Sequence, residues 1–258
     1  MKERITRRRF AATIGGTLAS FALGNACRPA NEPRQADDGR LIARPRASVQ
    51  TSASGERELG LDSRRDAILH LPPRPSREPL PLAVLFHGAG QNAESVLRRL
   101  GPASDEAGVA VLAPNSRDSS WDAIRGTFGR DVSFVNRCLE LVFDSVSVDP
   151  ARIAVGGFSD GATYALSLGL INGDFFRRVV AFSPGFVVDG TPHGRPSFFI
   201  SHGTKDPILP IDRCSRLIVA GLQKRGYDIT FREFDGGHEI PEEIATEGMR
   251  WVSAPSAA

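Results

Sequence analysis

Cysteine is scarce in this chain, three residues in 258. Cys138 and Cys214 fall on apolar faces of predicted helices that flank well-separated strands, so two buried free thiols are expected rather than a bridge. The cysteines lack ligand spacing, the five histidines are scattered and no paired-histidine helix motif appears, which argues against a metal centre. HGAGQNAES, residues 87–95, lacks the glycines of a dinucleotide-binding fingerprint, and no cofactor is expected. A long apolar run is missing too. FAATIGGTLASFAL, residues 10–23, falls short of the roughly 20 apolar residues that span a bilayer.

That run instead reads as part of an export signal over residues 1–26: basic MKERITRRRF, the mild apolar stretch, then small residues at GNA. Arg7 and Arg8 in TRRRF match a twin-arginine pair, which predicts a periplasmic or extracellular protein, with lipidation at Cys27 the minor alternative. The segment carries Lys2, Arg4, Arg7, Arg8 and Arg9 against Glu3, so its removal turns a net charge of +2 into −2. Nothing then resembles the basic stripe of a nucleic-acid binder. Hydrophobic content of 41% and charged content of 24% are those of an ordinary globular protein.

Residues 27–55 are rich in Arg, Pro, Ala and Ser without an apolar period, and are expected to be a flexible lead-in. Over residues 56–253 the chain alternates. Short apolar runs (AILHL, LAVLF, VAVLA, IAVGG, VVAF, SFFIS, ITFREF) are separated at several points by helical patterns, of which DVSFVNRCLELVF is the clearest. This predicts one α/β domain with a mostly parallel central sheet and helices on both faces. The segment 115–131 breaks the rhythm after a strand end, where ligand contacts gather, so Trp121 and Phe128 are expected to line the substrate site.

RIAVGGFSDGATYALSLGL, residues 152–170, sets Ser159 between two glycines where a predicted strand meets a predicted helix. A G-x-S-x-G arises by chance roughly 0.2 times in a chain of this composition, so context has to decide. A strand-to-helix turn is the context in which this motif exposes a nucleophilic serine. Serine needs a base, and the base an acid, in the chain order Ser, acid, His. Asp206 and His238 each follow a predicted strand on the same sheet edge. Asp212 and Asp235 are alternative acids, and His202 is an alternative base that inverts the order. The N–H of Asp160 and that of Ala89 are the expected oxyanion donors, with His87 and Gly88 shaping the loop at the site.

LFHGAGQNAE, VDPARIAVGGFSDGA, GTKDPILP and DGGHEIP resemble the phospholipase/carboxylesterase group of the α/β-hydrolase superfamily, with its acyl-thioesterase, feruloyl-esterase and polyhydroxyalkanoate-depolymerase-like relatives. The resemblance covers about residues 66–252 and implies a triad of Ser159, Asp206 and His238 acting on a small-molecule ester. It departs at Asp160, where the small thioesterases usually carry Gln, and at Ala89, where they carry a larger apolar residue. Only about ten residues separate VVAFSPGF from SFFISHG, too few for a helical lid. The expected function is hydrolysis of carboxylic esters. A thioesterase or (lyso)phospholipase is the alternative among enzymes, and a non-catalytic binding protein the alternative outside them.

Overall fold

The computed structural model describes residues 38–46, 54–73 and 79–255. Eight strands form a single sheet: β1 (Gly55–Glu58), β2 (Ala67–Leu71), β3 (Leu80–Phe86), β4 (Ala110–Pro114), β5 (Val148–Phe158), β6 (Arg178–Phe182), β7 (Ser197–Gly203) and β8 (Ile229–Phe234). Their spatial order is β1-β2-β4-β3-β5-β6-β7-β8. The first two pairings are antiparallel and all those from β4 to β8 are parallel. The helices are α1 (Ala93–Ala107), α2 (Asp122–Arg125), α3 (Arg130–Ser145), α4 (Asp160–Ile171), α5 (Ser215–Lys224) and α6 (Glu242–Ser253).

Strands β3 and β4 are continuously apolar because both faces of the sheet are covered. Successive side chains therefore enter two different cores. Leu82, Val84 and Phe86 of β3 pack with α3, α4 and α5, while Ala83 and Leu85 pack with α1 and α6. In α3 the predicted stripe Val132, Val135, Leu139, Val142 and Phe143 is buried. α4 is buried along its length from Gly161 to Ile171, as a helix hydrophobic all round must be. Cys138 and Cys214 are buried free thiols.

Three features were not legible. β1 reads GERE and is fully exposed, so it has no apolar period and exists only by pairing with β2. The single-turn α2 lies inside the irregular segment after β4. The lead-in expected over 27–55 is ordered where it is described. Leu41 is buried, and Asn172 accepts the Leu41 N–H at 2.8 Å and donates to Gly39 O at 2.9 Å. Asn136 accepts the N–H groups of Ile42 and Ala43, both at 2.8 Å, and Arg40 forks onto Asp174 at 2.8 and 2.7 Å. These partners lie more than ninety positions downstream, beyond any local sequence signal. The export segment 1–26, Cys27 and the rest of the lead-in up to residue 53 lie outside the described residues. Among the described residues no helix is long and apolar enough to cross a membrane.

Candidate active site

Ser159 occupies a one-residue turn between the end of β5 and the start of α4, at φ 58° and ψ −120°. A left-handed φ strains any residue other than glycine, and such strain persists only where surrounding packing enforces it. Here the enforcement is visible. The Ser159 N–H donates to Phe182 O at 3.0 Å, and the Ser159 carbonyl accepts from Thr163 N at 3.0 Å. The flanking glycines explain the motif physically. A Cβ on Gly157 would lie 2.5 Å from Phe86 O, and one on Gly161 would fall onto the same carbonyl. The turn is pressed against β3 too closely for any side chain at either position.

His238, on the loop after β8, bridges the other two predicted residues. Its Nδ1 is 2.6 Å from Asp206 Oδ2 and its Nε2 is 2.9 Å from Ser159 Oγ. The ring lies against Phe158, centroids 4.7 Å apart. Asp206 is buried, and its Oδ1 accepts the N–H groups of Ile208 and Leu209, each at 2.9 Å. Burial by itself would raise the Asp206 pKa, but the Leu209 N–H, His238 and the Ile208 N–H outweigh it and hold the carboxyl below its ordinary value. The alternatives separate cleanly. Asp235 is exposed and paired with Lys205 at 2.5 Å, and Asp212 is paired with Arg216 at 2.6 Å. His202 is wholly buried beside Asp206, with Nε2 3.2 Å from its Oδ2.

The loop after β3 faces Ser159 from the other side: a Cβ on Gly88 would sit 3.5 Å from Ser159 Cβ. His87 is buried and pins this loop. Its Nε2 accepts the Ser116 N–H at 3.1 Å, so Nδ1 carries the proton that is donated to Gly88 O at 2.8 Å. Burial drives the His87 pKa down to about 4, with the Gly88 hydrogen bond opposing, so the ring is neutral. The neighbouring amides are engaged, Gly90 N with Ser119 O at 2.6 Å and Gln91 N with Gly88 O at 3.1 Å. Ala89, directly before them, is exposed, and among the described residues no acceptor meets its N–H. The Asp160 N–H opens α4 and has no intrahelical acceptor. Both amides are thus available beside Ser159.

Trp121 and Phe128, expected at the substrate site, are turned inward. Both are buried, with Trp121 stacked on Tyr164 at 5.0 Å and Phe128 5.8 Å from the same ring. The amphipathic indole reaches its one polar partner indoors: Nε1–H donates to His87 O at 2.9 Å. The segment 115–131 is therefore a brace behind the loop after β3. Sequence reading also missed Ser120, whose hydroxyl donates to Asp160 Oδ2 at 2.5 Å, and Ser215, which donates to His202. Neither carries a local pattern that marks it.

A family model described as Phospholipase/Carboxylesterase matches residues 130–250. Putative esterase NocK of Nocardia uniformis subsp. tsuyamanensis is 31% identical over 186 residues, covering 67% of this chain and 53% of that protein. Feruloyl esterase C of Emericella nidulans is 31% identical over 123 residues, covering 47% of this chain and 44% of that protein. The chain thus spans about half the length of the curated relatives it matches. Among solved structures, the Staphylococcus aureus fluorophosphonate-binding serine hydrolase F superposes with a TM-score of 0.63 at 15% identity, covering 79% of this chain and 100% of that one, which shows a shared fold.

Proposed function

The chain belongs to the phospholipase/carboxylesterase family of α/β-hydrolases, and from that premise we propose that it hydrolyses small carboxylic esters through an acyl-enzyme on Ser159. The observation that carries this reading is the unbroken hydrogen-bond chain Ser159 Oγ, His238, Asp206, at 2.9 and 2.6 Å.

In this reading His238 Nε2 removes the Ser159 proton as Oγ bonds to the ester carbonyl carbon. Asp206 holds the Nδ1–H tautomer and stabilises the imidazolium that forms. The negative charge developing on the carbonyl oxygen is met by the N–H groups of Ala89 and Asp160, each donor of this kind contributing about 10²–10³ in kcat. The tetrahedral species collapses as the C–O bond to the alcohol breaks and His238 returns its proton to the leaving oxygen. Water, deprotonated by the same imidazole, then attacks the acyl-enzyme and regenerates Ser159. His238 must be neutral to begin either half, so protonating it stops the reaction.

Export through the twin-arginine pathway, read from TRRRF, completes the proposal and would set this chemistry outside the cytoplasm. The deciding experiment is turnover of p-nitrophenyl esters from acetate to palmitate by the wild type and by Ser159→Ala. Short-chain turnover abolished in the variant supports the esterase. A preference rising steadily toward long chains would favour the thioesterase or lysophospholipase reading, and equal background rates for both proteins would sink the catalytic one.

A further inference from the structure

The acid of the triad has two histidine neighbours. Asp206 Oδ2 is 2.6 Å from His238 Nδ1, and His202 Nε2 lies 3.2 Å from the same oxygen. His202 stands at the end of β7, wholly buried, and both its ring nitrogens are engaged. Nε2 is also 2.7 Å from Leu209 O. A carbonyl oxygen only accepts, so Nε2 carries the proton and donates it to Leu209 O, with Asp206 Oδ2 3.2 Å from the same nitrogen. Nδ1 is then the acceptor, and it takes the hydroxyl proton of Ser215, 2.6 Å away at the first position of α5. A ring held at both nitrogens cannot turn, and it has no free nitrogen with which to act as a base. Burial also lowers its pKa, which keeps it neutral.

We propose that His202 is a positioning residue for the triad: seated by Ser215, its Nε2–H fixes the Asp206 carboxylate in the orientation that His238 requires and shares part of that carboxylate's charge. This rests on the esterase reading above. The same imidazole also grips the 206–209 turn through Leu209 O, so the Asp206 side chain and the backbone that presents it are held by one group. The charged and titratable groups around His202 are few. Asp206 and His238 face it on the loop side, and Glu233 lies opposite it on β8. Glu233 is occupied by Arg216 of α5 at 2.8 and 2.6 Å, which leaves Asp206 as the carboxylate that His202 serves.

Removing a donor from a carboxylate leaves more of its charge to the remaining partners, here the Ile208 and Leu209 N–H groups on Oδ1 and His238 on Oδ2, of which only His238 can take up a proton. Loss of the His202 N–H therefore favours the imidazolium form of His238 and moves the acid limb of the activity profile to higher pH. A residue that only filled space would lower yield or stability and leave that limb alone.

The test compares wild type, His202→Phe, His202→Gln and Ser215→Ala, with rates on p-nitrophenyl acetate normalised to sites titrated by a fluorophosphonate. Phe keeps ring volume without a donor, whereas the Gln amide restores one. Expected for His202→Phe is a loss of about tenfold in kcat per titrated site at unchanged KM, with the acid limb of kcat/KM raised by about half a pH unit. His202→Gln should stay within about threefold of wild type, and Ser215→Ala should raise the limb by a smaller amount. If His202→Phe does not fold, Ser215→Ala decides. An acid limb unmoved in every folded variant overturns the positioning role while wild-type turnover keeps the esterase reading standing. A wild type that turns over no ester defeats that reading, and the positioning role falls with it.

Discussion

The indole N–H of Trp121 donates to the carbonyl oxygen of His87 at 2.9 Å, from a position with no solvent exposure. A buried aromatic thus holds the backbone of the loop that faces Ser159, and the segment carrying it contributes two further ties, Ser116 N to His87 Nε2 and Gly90 N to Ser119 O. Trp121 is buried and is joined through this carbonyl to a proposed oxyanion donor two residues beyond His87.

Trp121→Phe keeps an aromatic ring, though a smaller one, and removes this donor, leaving the buried His87 carbonyl short of a partner. The expected cost is about 1–3 kcal/mol of stability and roughly tenfold in kcat, with KM and the acyl-chain preference unchanged. Denaturant melts and the ester series measure both. A changed chain-length preference would return Trp121 to the substrate surface.

Ser159→Ala and His238→Ala should each lower kcat by about 10⁴–10⁶-fold, and combining them should add little, because the residues act as a unit. Ser159→Ala should also lose fluorophosphonate labelling. Multiplicative losses in the double variant would separate the two residues mechanistically.

His87 and Asp131 make the stability of this region depend on pH in opposite senses. The folded pKa of His87 is about 4 against an ordinary 6.5, so the unfolded chain binds more protons between those values. Its contribution is fully present above pH 6.5 and is lost as pH falls toward 4, amounting to about 2–3 kcal/mol between pH 7 and pH 4.5. Asp131 is raised to about 6 by burial and by the neighbouring Asp122 carboxylate, so it opposes this loss between about pH 6 and its ordinary 3.8. Relative to wild type, His87→Gln should therefore gain stability on acidification, and Asp131→Asn should lose it. Chemical denaturation at pH 7, 5.5 and 4.5 reads both differences, and parallel curves would contradict the assignment.

Gly161→Ala should prevent proper folding or cost about 3 kcal/mol or more, because the added methyl meets the carbonyl of Phe86 at the seam of β3 and α4. Gly221→Ala on α5, where nothing lies within 4 Å of the new carbon, is the matched control and should gain a few tenths to about 1 kcal/mol. Equal melting temperatures for the two variants would contradict the close approach.

Most of the sheet was legible because its strands are short apolar runs covered on both faces, and β2 and β8 were read with their full observed extents. β1 was not, because GERE has no buried face and its conformation comes from a neighbour. The ordered stretch around Leu41 was missed for a related reason: Asn136 and Asn172 satisfy its backbone from distant helices. Trp121 was read as substrate-facing because an aromatic in an irregular segment after a strand has two possible environments, and composition does not choose between them.

By itself, the sequence determined the alternation of strand and helix and set Ser159 at a strand-to-helix turn, and chain order favoured Asp206 and His238 over Asp212, Asp235 and His202 as its proposed partners. Only the tertiary structure decided which histidine meets Ser159. It turned His202 inward between Ser215 and Asp206 and set His238 between Asp206 and the serine. The physical reason is that local patterns report which face of an element is buried, while hydrogen-bond partners 32 and 79 residues apart are chosen by how the packed elements close on one another.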